Sequence, residues 1–150
     1  MPTTIKNASI RHLDRLYEIE IECFDREAFT KQQIARLLTD YNSVSLVAKA
    51  NGEITGFIIG TIYPERNSLT GHILTINISS THRRKGIAQK LLQETEKILK
   101  EKGVKTCSLE VKENNIAALR LYQKFGYKKV AKLKNYYGNV HGIYLKKALS

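Results

Sequence analysis

At 150 residues and a formal net charge of +11, the chain is long enough to bury one core and is expected to form a single domain over residues 1–150. No apolar run approaches a membrane span, Met-Pro-Thr-Thr-Ile-Lys lacks the shape of a secretion signal, and Cys23 and Cys107 stand far apart with no histidine at ligand spacing; this argues against a membrane protein, a disulfide scaffold and a metal site, and for a reducing, cytoplasmic setting. The positive charge fits nucleic-acid or ribosome contact, a polyanionic cofactor, or lysines spread over solvated faces, and its clusters fall at 83–85, 128–134 and 146–147.

Thr3 to Asn7 reads as a short edge strand. Ser9 is placed to cap a helix carrying Leu13, Leu16, Tyr17, Ile19 and Phe24. The other face of that helix reads as acidic, with Glu18 and Glu22 four apart and Glu20, Asp25 and Glu27 nearby. Thr30 and Gln33 form a capping box for a second helix through Ile34, Leu37 and Leu38. Ser43 to Ala50 alternates as a strand, with Val44, Leu46 and Ala48 on one face and Val47 on the other. Asn51-Gly52 is a hairpin signal of the type I′ kind. The returning strand, Ile54 to Tyr63, is apolar on both faces and so belongs near the sheet centre. Pro64 to Leu69 reads as a loop.

Gly71 to Ser79 is a strand rich in β-branched residues. The basic turn His82-Arg83-Arg84-Lys85-Gly86 follows, then a helix with Ile87, Ala88, Leu91, Leu92, Thr95, Ile98 and Leu99 at helical spacing. Such a turn offers free backbone N–H groups and the positive end of a helix dipole to an anion. Gly86 lets a ligand approach the main chain. That helix ends at Lys102-Gly103. Lys105 to Val111 is a further strand, and Asn115 opens a short helix over 116–124 that Gly126 terminates. Tyr127 to Lys134 and Gly142 to Lys147 form a last strand pair around Tyr136-Tyr137-Gly-Asn-Val-His-Gly. The order β-α-α-β-β-β-α-β-α-β-β gives an α/β fold, a mixed sheet with helices on both faces.

Two segments together resemble one family. Arg83-Arg-Lys-Gly86-Ile-Ala88 fits the Arg/Gln-x-x-Gly-x-Gly/Ala pattern of the GNAT acetyltransferases. Leu109-Glu110-Val111, Asn115-Ile-Ala-Ala118, Leu121-Tyr122 and Gly126-Tyr127 resemble a second region of that family at the expected distance. Gly71-His72-Ile73, the turn and the Tyr136-Tyr137 pair are similar to the protein N-terminal acetyltransferases, the RimI-type ribosomal-protein enzymes and archaeal catalytic subunits among them. The resemblance implies acetyl-CoA as donor and an amine as acceptor, here the free α-amino group of a protein or peptide.

It also implies roles for residues. Arg83, Arg84, Lys85, Gly86, Ile87 and Ala88 would cradle the coenzyme A pyrophosphate, Ile76 and Ile78 would bond its pantetheine arm, and Asn115 would contact the cofactor. Asn115 reads equally well as a helix cap. Glu110 matches the family's general base, although Thr106, Ser108, Glu110 and Lys112 share one strand face that reads as solvated. Tyr122 matches the tyrosine that binds near the cofactor sulfur and protonates it, and reads alternatively as a core aromatic with Ala118 and Leu119. Phe29, Tyr136 and Tyr137 would hold the substrate peptide. Phe24 to Phe29 has no tyrosine where several relatives have one, and the loop after Tyr137 lacks their acidic residues, so the peptide preference does not carry over. Glu22, Asp25 and Glu27 could attract a cationic N-terminus or simply end a solvated helix.

An α-amino group titrates near ~8 and a lysine near ~10.4, so a protein N-terminus is the easier amine to supply neutral. A lysine or polyamine acetyltransferase of the same fold, and a non-catalytic ribosome- or nucleic-acid-binding module, are the alternatives. Partners are expected to be protein N-termini, with room for ribosome association, no membrane, and a monomer or homodimer.

Overall fold

The computed structural model describes residues 2–24 and 27–149. Its elements follow the expected order: β1 (Thr4–Asn7), α1 (Leu13–Cys23), α2 (Lys31–Thr39), β2 (Ser43–Ala50), β3 (Glu53–Glu65), β4 (Ser68–Ile78), α3 (Ile87–Glu101), β5 (Val104–Lys112), α4 (Ile116–Lys124), β6 (Lys128–Tyr137) and β7 (Val140–Ala148). The strands form one sheet in the order β1-β2-β3-β4-β5-β7-β6. Every pairing is antiparallel except β4 with β5, which α3 joins as a parallel crossover.

Local chemistry explains most boundaries. The amide of Gln33 donates to Thr30 Oγ1 at 3.1 Å and the amide of Thr30 to Gln33 Oε1 at 2.9 Å, closing the predicted capping box. Asn51 and Gly52 both take positive φ, 55° and 77°, as a type I′ turn requires. Ser9 does not cap α1. Its N–H donates to His12 Nδ1 at 3.0 Å, and a 3₁₀ turn, Ile10–His12, comes before the helix.

Two segments read as loops are strands. β3 runs on to Glu65 and β4 starts at Ser68, so Pro64 to Leu69 is the tip of a long hairpin. Residues 63–68 are exposed on both strands, which removes the alternation that marks a strand. Likewise Tyr136 and Tyr137 end β6, and the turn is only Gly138-Asn139, with Gly138 at φ 79°.

The sheet divides two apolar layers. Leu16, Ile19 and Ile34 of α1 and α2 pack on Val47, Phe57 and Ile59. On the other face Ile87, Leu91, Leu92 and Leu99 of α3 pack on Val44, Leu46, Ala48 and Ile58. The period-2 division of β2 between Val44/Leu46/Ala48 and Val47 is as the alternation predicts. Gly71 lets the end of α3 settle on the sheet, since a Cβ there would lie 3.0 Å from a Leu99 methyl.

The site arises from how β4 and β5 pair. Their contacts run from Leu69↔Val104 to His72↔Ser108 and then stop, although β4 continues to Ile78 and β5 to Lys112. Just past the last pair, Ile59 faces Thr75 while Gly60 faces Ile73, so Leu74 is an extra residue bulged out of β4. β4 stays with β3 and β5 with β7, and the sheet opens into a V between them.

Candidate active site

A cavity of about 440 Å³ fills this V. Ile73 to Ile76 of β4 form one wall and Leu109 to Lys112 of β5 the other. Asn115, Ala118 and Tyr122 close it on the α4 side. Glu20, Phe24, Glu27 and Phe29 close it on the α1 side, and Tyr136 and Tyr137 stand at its rim. Both open strands present unpaired main-chain groups here, and such groups need a partner. An extended polar ligand lying between the strands would supply one.

The basic turn lies at the end of β4. Arg84 has φ 64° and Gly86, which precedes the first residue of α3, has φ 76°. No side chain caps the first turn of α3 among the described residues, so its leading amides are available to an anion. A Cβ built on Gly86 meets nothing within 4 Å. The space over the turn is therefore open, and glycine is required there by its φ rather than by crowding from the chain.

The Acetyltransferase (GNAT) family model matches residues 13–127. The chain belongs to the GNAT acetyltransferase family. It is 30% identical to an N-alpha-acetyltransferase of Sulfurisphaera tokodaii, over 94% of this chain and 89% of that one. It is 28% identical to the N-terminal acetyltransferase B complex catalytic subunit NAA20 of Arabidopsis thaliana, over 99% of this chain and 86% of that one. In fold it is similar to a chain of the NatC complex bound to Gag peptide and CoA, with a TM-score of 0.91, 24% identity and all of both chains covered.

Seven of the residues expected in the GNAT site line the cavity together: Ile76, Glu110, Asn115, Tyr122, Phe29, Tyr136 and Tyr137. Ile78 and residues 83–88 do not line it; they continue from it along β4 into the turn. Within the turn the side chains divide. Arg84 and Lys85 are exposed. Ile87 is 3% exposed and packs in the core, leaving only its main chain to face a ligand. Arg83 points back: its Nε donates to the Ile78 carbonyl at 3.1 Å and its Nη2 lies 3.3 Å from Cys23 Sγ. The Arg83 side chain therefore ties the turn to the end of α1.

Glu110 does not sit on a solvated strand face. Its Oε1 is 2.9 Å from His72 Nε2, and His72 Nδ1 is 2.6 Å from Ser108 Oγ. Ser108 is fully buried. Tyr122 is 6% exposed and packs edge-on against Tyr127, with ring centroids 6.0 Å apart. Burial first, and the neighbouring Tyr137 second, push its phenol well above the usual tyrosine value, so it stays protonated. Asn115 caps α4, its Oδ1 accepting from the Ala118 amide at 3.2 Å, and the residue also lines the cavity. Tyr136 and Tyr137 meet edge to face at 4.9 Å, folding over Gly142, where a Cβ would come within 3.1 Å of Tyr136.

The acidic helix face also needs correction. Glu20 is fully buried, not solvated. Its Oε1 accepts from Thr75 Oγ1 at 2.8 Å and Asn77 Nδ2 at 2.7 Å, and its Oε2 from the Phe29 amide at 3.0 Å. It thus fastens the loop before α2 to β4. Glu27 pairs with Lys112 across the cavity, Glu22 is exposed and accepts from the Ser80 amide, and Asp25 lies outside the described residues. Glu20, His72 and Ser108 escaped the sequence reading. Glu20 carried a signal, since it falls four residues after Leu16 on the apolar stripe. His72 carried one only as part of the Gly71-His72-Ile73 resemblance, and nothing joined it to Ser108, because their meeting depends on strand register.

Proposed function

We propose that this chain transfers the acetyl group of acetyl-CoA to the free α-amino group of protein N-termini, by direct attack of the amine on the thioester. The observation that carries the mechanism is that Glu110 and Tyr122 approach one cavity from opposite faces of the opened sheet. Glu110 shares its face with His72, on the side of α1, and Tyr122 covers the other side from α4.

The donor fits the shape of the site. The V between β4 and β5 accepts an extended arm, and the open, uncapped turn at Gly86 accepts a pyrophosphate. Glu110 takes a proton from the attacking nitrogen as the N–C bond forms. Tyr122, kept protonated by burial, gives its proton to sulfur as the C–S bond breaks. Glu110 is then protonated and Tyr122 deprotonated until exchange with solvent restores both. An α-amino group near ~8 is partly neutral at pH 7, so a carboxylate base is sufficient. Tyr136, Tyr137 and Phe29 hold the first residues of the peptide against the rim. The relatives named for N-terminal acetylation support this acceptor. Cytoplasmic residence belongs to the same reading and is supported by two free cysteines.

The test is mass spectrometry of a peptide library with free or blocked N-termini after incubation with protein and acetyl-CoA. Acetylation confined to free α-amino groups is expected. Modification of internal lysines on blocked peptides would replace this reading with a lysine acetyltransferase.

A specific observation favours association with the ribosome as well. Residues 102–150 hold eleven of the 25 basic residues and two of the fourteen acidic ones, so +9 of the +11 lies in the last third of the chain. That third builds one end of the sheet, β5, β7 and the edge strand β6. Lys128 and Lys146 stand directly opposite each other there, an arrangement that costs energy unless an anion lies nearby.

A further inference from the structure

Behind Glu110 and His72 stands Ser108, a fully buried serine. Because Glu110 as a carboxylate is acceptor-only, the His72 Nε2 that faces it at 2.9 Å must carry a hydrogen. A neutral His72 then has a bare Nδ1, which needs a donor. A charged His72 has an Nδ1–H, which needs an acceptor. The Ser108 hydroxyl, 2.6 Å from Nδ1, serves both states by rotating its hydrogen. A backbone carbonyl in its place would serve only the charged ring and an amide only the neutral one.

We propose that Ser108 is a positioning residue that anchors Nδ1 of His72 in both protonation states of the ring, and so keeps Nε2–H directed at Glu110 throughout turnover. This rests on the assignment of Glu110 as the base. The placement is set by the fold. His72 and Ser108 are the last Cα partners before β4 and β5 part, and Glu110 is two residues further along the same face of β5. The histidine ring therefore spans the apex of the V, with the base just inside it. One carboxylate oxygen is occupied by His72, which leaves Oε2 for the substrate nitrogen.

The other groups facing this cluster are Tyr63 of β3, Tyr144 and Lys146 of β7, and Tyr136 of β6. Tyr63 shares a hydrogen bond with the Ser108 hydroxyl and lies near Glu110 and Tyr144; Lys146 is opposite Ser108 and Tyr144 opposite Glu110; Tyr136 lies near Glu110. Among the described residues the partner of His72 Nδ1 is Ser108, and its loss takes that hydrogen bond away.

The experiment compares the full-length protein with Ser108→Ala, Ser108→Thr and Glu110→Gln. The imidazole ¹⁵N shifts of His72, assigned with His72→Asn, report the hydrogen bond at Nδ1 without any acceptor peptide. In the wild type, the Nδ1 resonance of a hydrogen-bonded acceptor is expected. In Ser108→Ala, Nδ1 loses its donor, its resonance moves downfield toward that of a free imidazole acceptor, and kcat falls about tenfold with KM for acetyl-CoA unchanged. Ser108→Thr, which keeps the hydroxyl, restores both the resonance and kcat. A Ser108→Ala protein with the wild-type Nδ1 resonance overturns the proposal, whether or not its activity falls. If instead the resonance moves but Glu110→Gln is fully active, the assignment of the base has failed and the link between Ser108 and His72 stands.

Discussion

Tyr122 shows how one side chain answers to two demands. Its stripe with Ala118 and Leu119 packs α4 onto the sheet, and the residue also lines the cavity. Burial makes the phenol a poor acid in the resting protein, so under the proposed mechanism it would give up its proton only to a thiolate developing beside it. Tyr122→Phe keeps the packing and removes the donor. It is expected to lower kcat ten- to a hundredfold with a smaller change in KM for peptide; steady-state kinetics with an unchanged kcat would remove Tyr122 from the reaction. Glu20 is a second case. Burial raises its pKa above the ordinary glutamate value of 4.5, against the hydrogen bonds from Phe29, Thr75 and Asn77 that pull it down. A carboxyl raised on folding holds its proton more tightly in the folded chain, so stability falls as pH rises from the unfolded value through the folded one. Relative to Glu20→Gln, the wild type should therefore lose stability over that window, read as urea midpoints from pH 4 upward. A difference that does not vary with pH would contradict the burial of an ionisable Glu20.

At the scale of elements, the turn before α3 and the network behind β7 bear different loads. Gly86 sits at φ 76° with open space around its Cα. Gly86→Ala carries only backbone strain, about 1 kcal/mol. Gly86→Glu adds bulk and negative charge at the proposed pyrophosphate site. Calorimetry should show acetyl-CoA affinity at least tenfold weaker for Gly86→Glu than for Gly86→Ala, and equal affinities would displace the cofactor from this turn. On the far side of the cavity, Glu96 of α3 accepts from Tyr127 Oη at 2.8 Å and pairs with Lys147 Nζ at 2.6 Å. Both charged side chains are largely buried, at 13% and 23% exposure. Glu96→Ala leaves an ammonium and a phenol without their partner and should cost about 2–3 kcal/mol of stability. A urea midpoint within error of the wild type would show the network to be slack. Sequence periodicity found both elements, but nothing in it joined Glu96 to Lys147, which lie 51 positions apart.

The whole molecule is electrically lopsided. Its first 101 residues are nearly neutral and its last 49 carry most of the charge. Lys128, Lys129 and Lys134 are all exposed on the edge strand β6, which ends at Tyr136-Tyr137 by the cavity rim. An RNA backbone held along β6 would keep an emerging protein N-terminus beside the site. Binding to duplex RNA should weaken with salt at a slope of roughly 0.7–0.9 per phosphate neutralised. Lys128→Glu, Lys129→Glu and Lys134→Glu combined should reduce it at least tenfold while acetylation of free peptides is unchanged. RNA binding that ignores these three changes, or none at low salt, would remove the ribosome from this account.

The sequence by itself determined what depends on neighbours along the chain. The order of eleven elements, the capping box at Thr30, the turn at Asn51-Gly52, the cap at Asn115 and the resemblance to GNAT enzymes all follow from spacing and residue type over a few positions. The tertiary structure decided what depends on register and on faces. It placed Glu20 inside the core, turned Arg83 back onto β4, carried β6 through the tyrosine pair, and opened β4 from β5 just beyond His72 and Ser108. The physical reason is that a strand's pattern tells which residues share a face, while the pairing that brings His72 of one strand to Ser108 and Glu110 of another is set by the bulge at Leu74 and the packing of α3, neither of which is a local property.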